Sequence, residues 1–269
     1  MKFIKFILIS LLTIILVTCS TVPLTGRRQF TAIPSSQMLS LGRDSYKQAL
    51  SEFKLSTNQK YVSSVKEVGS NITAAVDKYF REHNQSSILA GYVWEFNVLL
   101  SDELNAWCMP GGKIAFYEGI MPICADDHGI AVVMSHEIAH AVADHGNERL
   151  SQQLAVQLGG VALEVALAQE PETTRNLAMG AFGVGSVLGI LLPYSRKHES
   201  EADELGLYFM AMAGYNPFQA VNFWQRMKGM SKENPPEFLS THPATQTRIN
   251  NLNSKMNKAL LYYNQSQKK

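Results

Sequence analysis

The chain has little cysteine, little charge and no long apolar run. Its three cysteines, Cys19, Cys108 and Cys124, show no C-x-x-C spacing, which argues against a cysteine-built zinc site. Lys, Arg, Asp and Glu together make up 17% of the chain, below the usual quarter. The net charge is +1, so there is no basic excess to hold nucleic acid. There are no internal repeats and no linker that would split off a second domain. What is present is apolar substance: 46% of the 269 residues are hydrophobic, enough for a well-packed core.

Lys2 and Lys5 precede Phe6–Val17, an apolar stretch interrupted only by Ser10 and Thr13. It is short for a membrane span and fits the h-region of a signal peptide over residues 1–18. It ends in "LVTCS", which resembles a bacterial lipobox with Cys19 as the lipidated residue. Thr18 departs from the small residue usual before that cysteine. A thioether-linked diacylglycerol would supply the two chains that stable anchoring needs. The expected location is the cell envelope, at the periplasmic face of the outer membrane. Residues 19–34, rich in Pro and small polar residues, are expected to be a tether.

Residues 35–83 carry apolar residues at threes and fours and read as helix. "YVWEFNVLL" at 92–100 reads as a strand. Pro110-Gly111-Gly112 sits between two short apolar runs and predicts an antiparallel hairpin. A helix is expected over 127–149, capped by Asp126 or Asp127. Residues 150–194 are apolar and rich in small residues. They fit either packed helices or a surface that touches a membrane or a partner. Further helices are expected at 195–213, 217–229 and 244–260, with a disordered tail at 261–269. The fold class is therefore α+β, mainly helical, with a small sheet.

One motif carries chemistry. In "MSHEIAHAVADHG" His136 and His140 lie four apart, about 40° from each other on one helix face. Both imidazoles can reach one metal ion. Glu137 lies about 100° round, placed to act as a base on water that the metal activates. The helix around them is apolar, and burying two imidazoles and a carboxylate there is costly unless something satisfies them. A catalytic zinc site needs a third protein ligand. His145 is off the ligand face and reads as structural; His198 is a weak rival ligand.

The run "SRKHESEADELG" offers four acids, Glu199, Glu201, Asp203 and Glu204. On a helical wheel Asp203 shares a face with Glu199, while Glu201 is nearly opposite and Glu204 about 140° away. Glu199 is thus the favoured ligand. Asp203 would then accept the outer N–H of a ligand histidine. Glu201 and Glu204 read as solvated or salt-bridged, with Arg196 or Lys197 as partners.

"CSTVPLTGRRQF", "NAWCMPGGKIAFYEGIM", "MSHEIAHAVADHGNERLS", "HESEADELGLYFMAMAGYNP" and "FLSTHPATQTRI" together resemble the HtpX-like, CAAX-prenyl-protease-like and OMA-like zinc endopeptidases, a gluzincin family. The nearest branch is its bacterial envelope lipoproteins. The resemblance runs from Cys19 to about Leu252. It implies a zincin-like peptidase domain over 35–260, with the sheet beside the H-E-x-x-H helix. It implies one catalytic zinc on His136, His140 and Glu199, Glu137 as base and Asp203 in support. His242 and Arg248 would stabilise the oxyanion or position substrate, and in some members such a histidine caps the zinc. Asn105, Ala106, Trp107 and Cys108 would form an edge strand to which protein or peptide substrates add. Cys108 stands where a small aliphatic residue is usual; it and Cys124 are either bridged or two buried thiols. The implied role is envelope protein quality control, with an envelope chaperone or assembly factor carrying a largely latent zinc site as the alternative.

Overall fold

The computed structural model describes residues 19–229, 238, 242–243 and 245–268. The expected signal peptide at 1–18 lies outside them. The chain forms two compact units, one of residues up to Ser35 with Asp144–His198, the other of Ser36–Ala143 with Glu199–Lys269.

The second unit holds a three-stranded sheet. Its strands are β3 (Glu95–Leu99), β4 (Ala106–Met109) and β5 (Lys113–Tyr117), in the order β3-β5-β4. β5 is central, and its residues Ile114 to Phe116 are fully buried. The expected hairpin is present: β4 pairs antiparallel with β5, Trp107 opposite Ala115. β3 adds in parallel on the other side, so the sheet is mixed. β4 is an edge.

The helical stretch expected at 35–83 is two helices, α1 (Ser35–Glu52) and α2 (Gln59–Glu82). Asn58 caps α2 through its side chain and the Tyr61 N–H. Val65, Val68, Ile72, Val76 and Phe80 form the buried stripe of α2. α1 approaches the hairpin turn closely at Gly42, where a Cβ would lie 2.1 Å from the Pro110 carbonyl oxygen. A short turn of helix, α3 (Met121–Cys124), precedes α4 (Asp127–Val142). Asp126 caps α4 by accepting the Gly129 N–H. α4 packs on α2, on β4 and on a later helix, α8 (Phe218–Gly229).

The helix expected at 127–149 breaks at Asp144, which takes left-handed φ 55°, a conformation Asp tolerates. The chain then enters the first unit as α5 (His145–Ala166) and α6 (Glu172–Ser186). A π turn at Val187–Leu191 leads into α7 (Leu192–Met212). Residues 19–34 are no loose tether. Cys19–Thr21 (β1) pairs antiparallel with Arg28–Phe30 (β2), and this hairpin is pinned to α5. Arg27 donates twice to Glu148, at 2.9 and 2.7 Å, and Ser151 Oγ accepts the Ala32 N–H. The expected tail is also corrected: α9 (Gln246–Ser266) continues past residue 260, because Tyr262 packs edge-on against Tyr79 and beside Tyr208.

Candidate metal centre

α4 owes its place to its composition. Of its 16 residues 13 are buried, His136 and Glu137 among them. The apolar residues pull the helix into the core and carry the H-E-x-x-H side chains with them. α7 crosses α4 at Gly206, where a Cβ would lie 3.0 Å from the His136 nitrogen. That close approach delivers Glu199 and Asp203 to the two histidines.

The distances are those of a ligand set. His136 Nε2 and His140 Nε2 are 3.2 Å apart. Glu199 places Oε2 at 3.3 Å from the first and Oε1 at 3.2 Å from the second. His242 Nδ1 is 2.8 Å from Glu199 Oε2 and 3.2 Å from His136 Nε2. Ligand atoms from all four residues lie within 4.8 Å of one another. Three imidazoles and a carboxylate, converging in a mostly buried site, suit a zinc-like ion in donor type and number. The donor atoms point at one another, an arrangement a cation satisfies better than hydrogen bonds do.

The surroundings fix the ligands. Asp203 Oδ1 is 3.2 Å from the outer nitrogen of His136, Nδ1, although the approach is off-line and leaves that N–H without an aligned hydrogen bond. Arg248 clamps Asp203 from the other side, Nε to Oδ2 at 2.7 Å and Nη2 to Oδ1 at 2.6 Å. Its Nη1 reaches Glu199 Oε2 at 3.1 Å. The guanidinium stacks 3.7 Å over the Trp224 ring. Burial works to lower the His136 imidazole, but Asp203 and Glu199 outweigh it and push it up to about 9. Burial likewise opposes the charge on Glu199 and Asp203. The histidines nevertheless hold Glu199 well below the usual carboxylate range, and Arg248 holds Asp203 down.

Glu137 differs from both. Burial raises its carboxyl above the ordinary value. It accepts the Cys108 backbone N–H from the edge strand, while its Oε1 is buried without a hydrogen-bond partner. That oxygen faces His242 Nε2 at 3.6 Å. A buried carboxylate oxygen left open beside a ligand cluster is placed to take a proton.

The sequence matches a protein-family model for peptidase family M48 over residues 69–256. The chain belongs to family M48. Among curated relatives it is 37% identical over 192 residues to mitochondrial metalloendopeptidase OMA1 of Saccharomyces cerevisiae, covering 67% of this chain and 52% of that one. The corresponding protein of Schizosaccharomyces pombe is 30% identical over 230 residues, 85% of this chain and 64% of its own. A beta-barrel assembly-enhancing protease of Yersinia pestis is 25% identical over 173 residues, 61% of this chain and 35% of its own. The chain thus spans between 37% and 64% of the length of the OMA1 relatives it matches.

Within this M48 protein the structure brings His136, Glu137, His140, Glu199, Asp203, His242 and Arg248 together. Ala106, Trp107 and Cys108 lie in β4, and Asn105 directly precedes it. Three expectations change, and the open alternative for Cys108 and Cys124 resolves. Arg248 does not face open space: it is buried and bound to Asp203 and Glu199, so it acts through them. Glu201 is buried, not solvated, because α7 is sunk on nearly all sides between His198 and Ala211. Glu204 is salt-bridged to Lys255 at 2.7 Å, rather than to Arg196 or Lys197. Cys108 and Cys124 are free thiols. His198 is not in the cluster; it contacts Glu148 at 2.8 Å and stacks on His145. Trp224 gives no signal in the sequence, since one aromatic in an amphipathic helix reads as core, and only its contact with Arg248 sets it apart.

Proposed function

We propose that this chain is a zinc-dependent endopeptidase of the bacterial cell envelope. The observation that carries the reading is the convergence of His136, His140 and Glu199 beside an unpartnered Glu137 oxygen. His136, His140 and Glu199 would hold the zinc, and His242 offers a fourth donor. Zinc in such a site lowers the pKa of water and polarises a carbonyl. Glu137 Oε1 then takes the proton from the attacking water and returns it to the leaving amine. Burial raises this carboxyl, which brings it closer to the working pH. Asp203 and Arg248 hold the His136 and Glu199 side chains in place.

β4 offers substrate a strand edge, and an extended peptide can pair with it through main-chain bonds. Cys108 belongs to that strand and also donates to Glu137, so a peptide seated there comes close to the base. The M48 membership and the OMA1 likeness support proteolysis. The signal-peptide and lipobox pattern supports an envelope lipoprotein, and envelope quality control is the role that suits both.

A second reading is a chaperone or assembly factor with a latent site. It is favoured by one observation: His242 already lies among the ligands. The test is zinc content and casein cleavage, with and without chelator, for wild type, Glu137→Gln and His242→Ala. A chelator-sensitive cleavage absent from Glu137→Gln supports the peptidase. Higher cleavage by His242→Ala than by wild type supports latency. Cleavage by Glu137→Gln at the wild-type rate would sink the assignment.

A further inference from the structure

We propose that the α5–α6 hairpin beds its apolar sides in a lipid bilayer. The hairpin exposes large aliphatic side chains all along its length. Leu158, Val165, Leu177, Val184 and Leu188 are each between 60% and 77% exposed. Residues 172–212 form one continuous helix, and in its most apolar 18-residue window only 6% is buried. A contiguous exposed apolar surface of this kind marks an interaction site. No charged side chain occurs between Leu177 and Pro193. As helix that stretch is about 25 Å long, comparable with the roughly 30 Å hydrocarbon core.

The choice of lipid over protein rests on what the chain itself brings to the same place. β1–β2 is fastened to the root of this hairpin. Besides the Arg27–Glu148 pair, Asn147 donates to the Ile33 carbonyl at 2.9 Å. Cys19 pairs with Phe30 in this hairpin-bound ribbon, and residues 6–17, just ahead of it in sequence, are uncharged and mostly aliphatic. The inference thus leans on the reading of residues 1–19 as a membrane anchor. Arg149, Arg196 and Lys197, all exposed, lie on the chain segments that enter and leave the hairpin. Cations there suit a headgroup layer carrying anionic lipid. Charged residues return at the far turn, with Glu170, Glu172 and Arg175, so the apolar sides are bounded at both ends.

The test uses the full chain in vesicles of phosphatidylethanolamine and phosphatidylglycerol carrying a fluorescent phospholipid. Val184→benzoylphenylalanine puts a photo-crosslinking residue on the hairpin. Val93→benzoylphenylalanine, an equally exposed position in the other unit, is the control. Irradiation should yield a fluorescent lipid adduct at Val184 and none at Val93. Protein that floats with vesicles yet gives only protein–protein adducts, or none, at Val184 overturns the inference and leaves the anchor reading standing. Protein that does not float at all overturns both.

Discussion

α4 and the stretch from Leu177 to Pro193 look alike as text: each is an apolar helix set with small residues. Their surroundings are opposite. α4 is buried over most of its length, while the other is bare on nearly every side. The difference lies in the polar residues each contains. α4 carries His136, Glu137 and His140 into the core, where they must be satisfied, and the chain supplies Glu199, Asp203 and Arg248 to do it. The 177–193 stretch carries no ionisable group. Apolar content shows that a helix will be covered; embedded ionisable groups show that it is covered by protein and does chemistry.

The largest effects should come from breaking the α4 side. Glu137→Gln should keep its metal and lose activity by about 10²- to 10⁴-fold, the usual contribution of a positioned base. Glu199→Ala should lose both, because only His136 and His140, with His242 as a further donor, remain. Metal analysis beside peptide cleavage separates the two. A Glu199→Ala protein with full zinc content would mean that the ligand set is wrong.

A matched pair of truncations tests the contrast directly. Ile138→Ala removes a fully buried side chain of α4 and should cost about 2–5 kcal/mol. Leu188→Ala removes one that is 62% exposed and should change stability by no more than about 0.5 kcal/mol. Urea unfolding in the absence of lipid gives both numbers. Equal costs would show that the hairpin is covered by protein in solution.

The hairpin root has a polar lock of its own, and pH opens it. Glu148 is buried, which alone would raise its carboxyl, but His198 and Arg27 bring it down to about 2 from an ordinary 4.5. A depressed carboxylate stabilises the fold above its unfolded value and loses that contribution as pH falls through the folded one. Glu148→Gln should therefore be less stable than wild type by about 2 kcal/mol at neutral pH, the worth of a charge-assisted hydrogen bond. The gap should close as pH drops from about 4.5 towards 2. A gap that stays constant with pH would assign the loss to packing instead.

Much of the site was legible because helical phase is a strong constraint. Spacing alone put His136 with His140 and Glu199 with Asp203, and the structure brings those pairs to one place. What was not legible depends on contacts between segments far apart in sequence. Nothing in its own helix marks Arg248 as buried; that follows from Asp203, 45 positions away, which it clamps. Glu201 reads as solvated or salt-bridged because the wheel assumes one wet face, and α7 has almost none at that point. The break at Asp144 left no plain mark, since an aspartate in a left-handed turn looks like any helix-surface acid. The parallel pairing of β3 with β5 likewise arises because the chain first crosses to β4 on the far side and only then returns as β5, which local patterns do not encode.

The subtlest test concerns Asp203, which touches the metal only through others. Asp203→Asn keeps the shape of the side chain and removes its charge. The His136 ring then loses part of its orientation, and Arg248 keeps Glu199 as its remaining carboxylate partner. Zinc affinity at its high-pH limit should fall by about 10- to 100-fold, as loss of such supporting groups typically costs. The pH dependence should move as well. Against burial, Asp203 and Glu199 push the metal-free His136 imidazole up to about 9, and a zinc ion would have to displace that proton to bind. Wild-type affinity should therefore climb until pH reaches about 9. The variant, with its imidazole less raised, should level off at a lower pH and a weaker limit. Chelator competition across pH reads both features. Glu204→Gln, on the same helix but paired with Lys255, should shift neither. A variant curve that merely runs parallel below wild type would confine Asp203 to holding the ring, with no part in setting its proton.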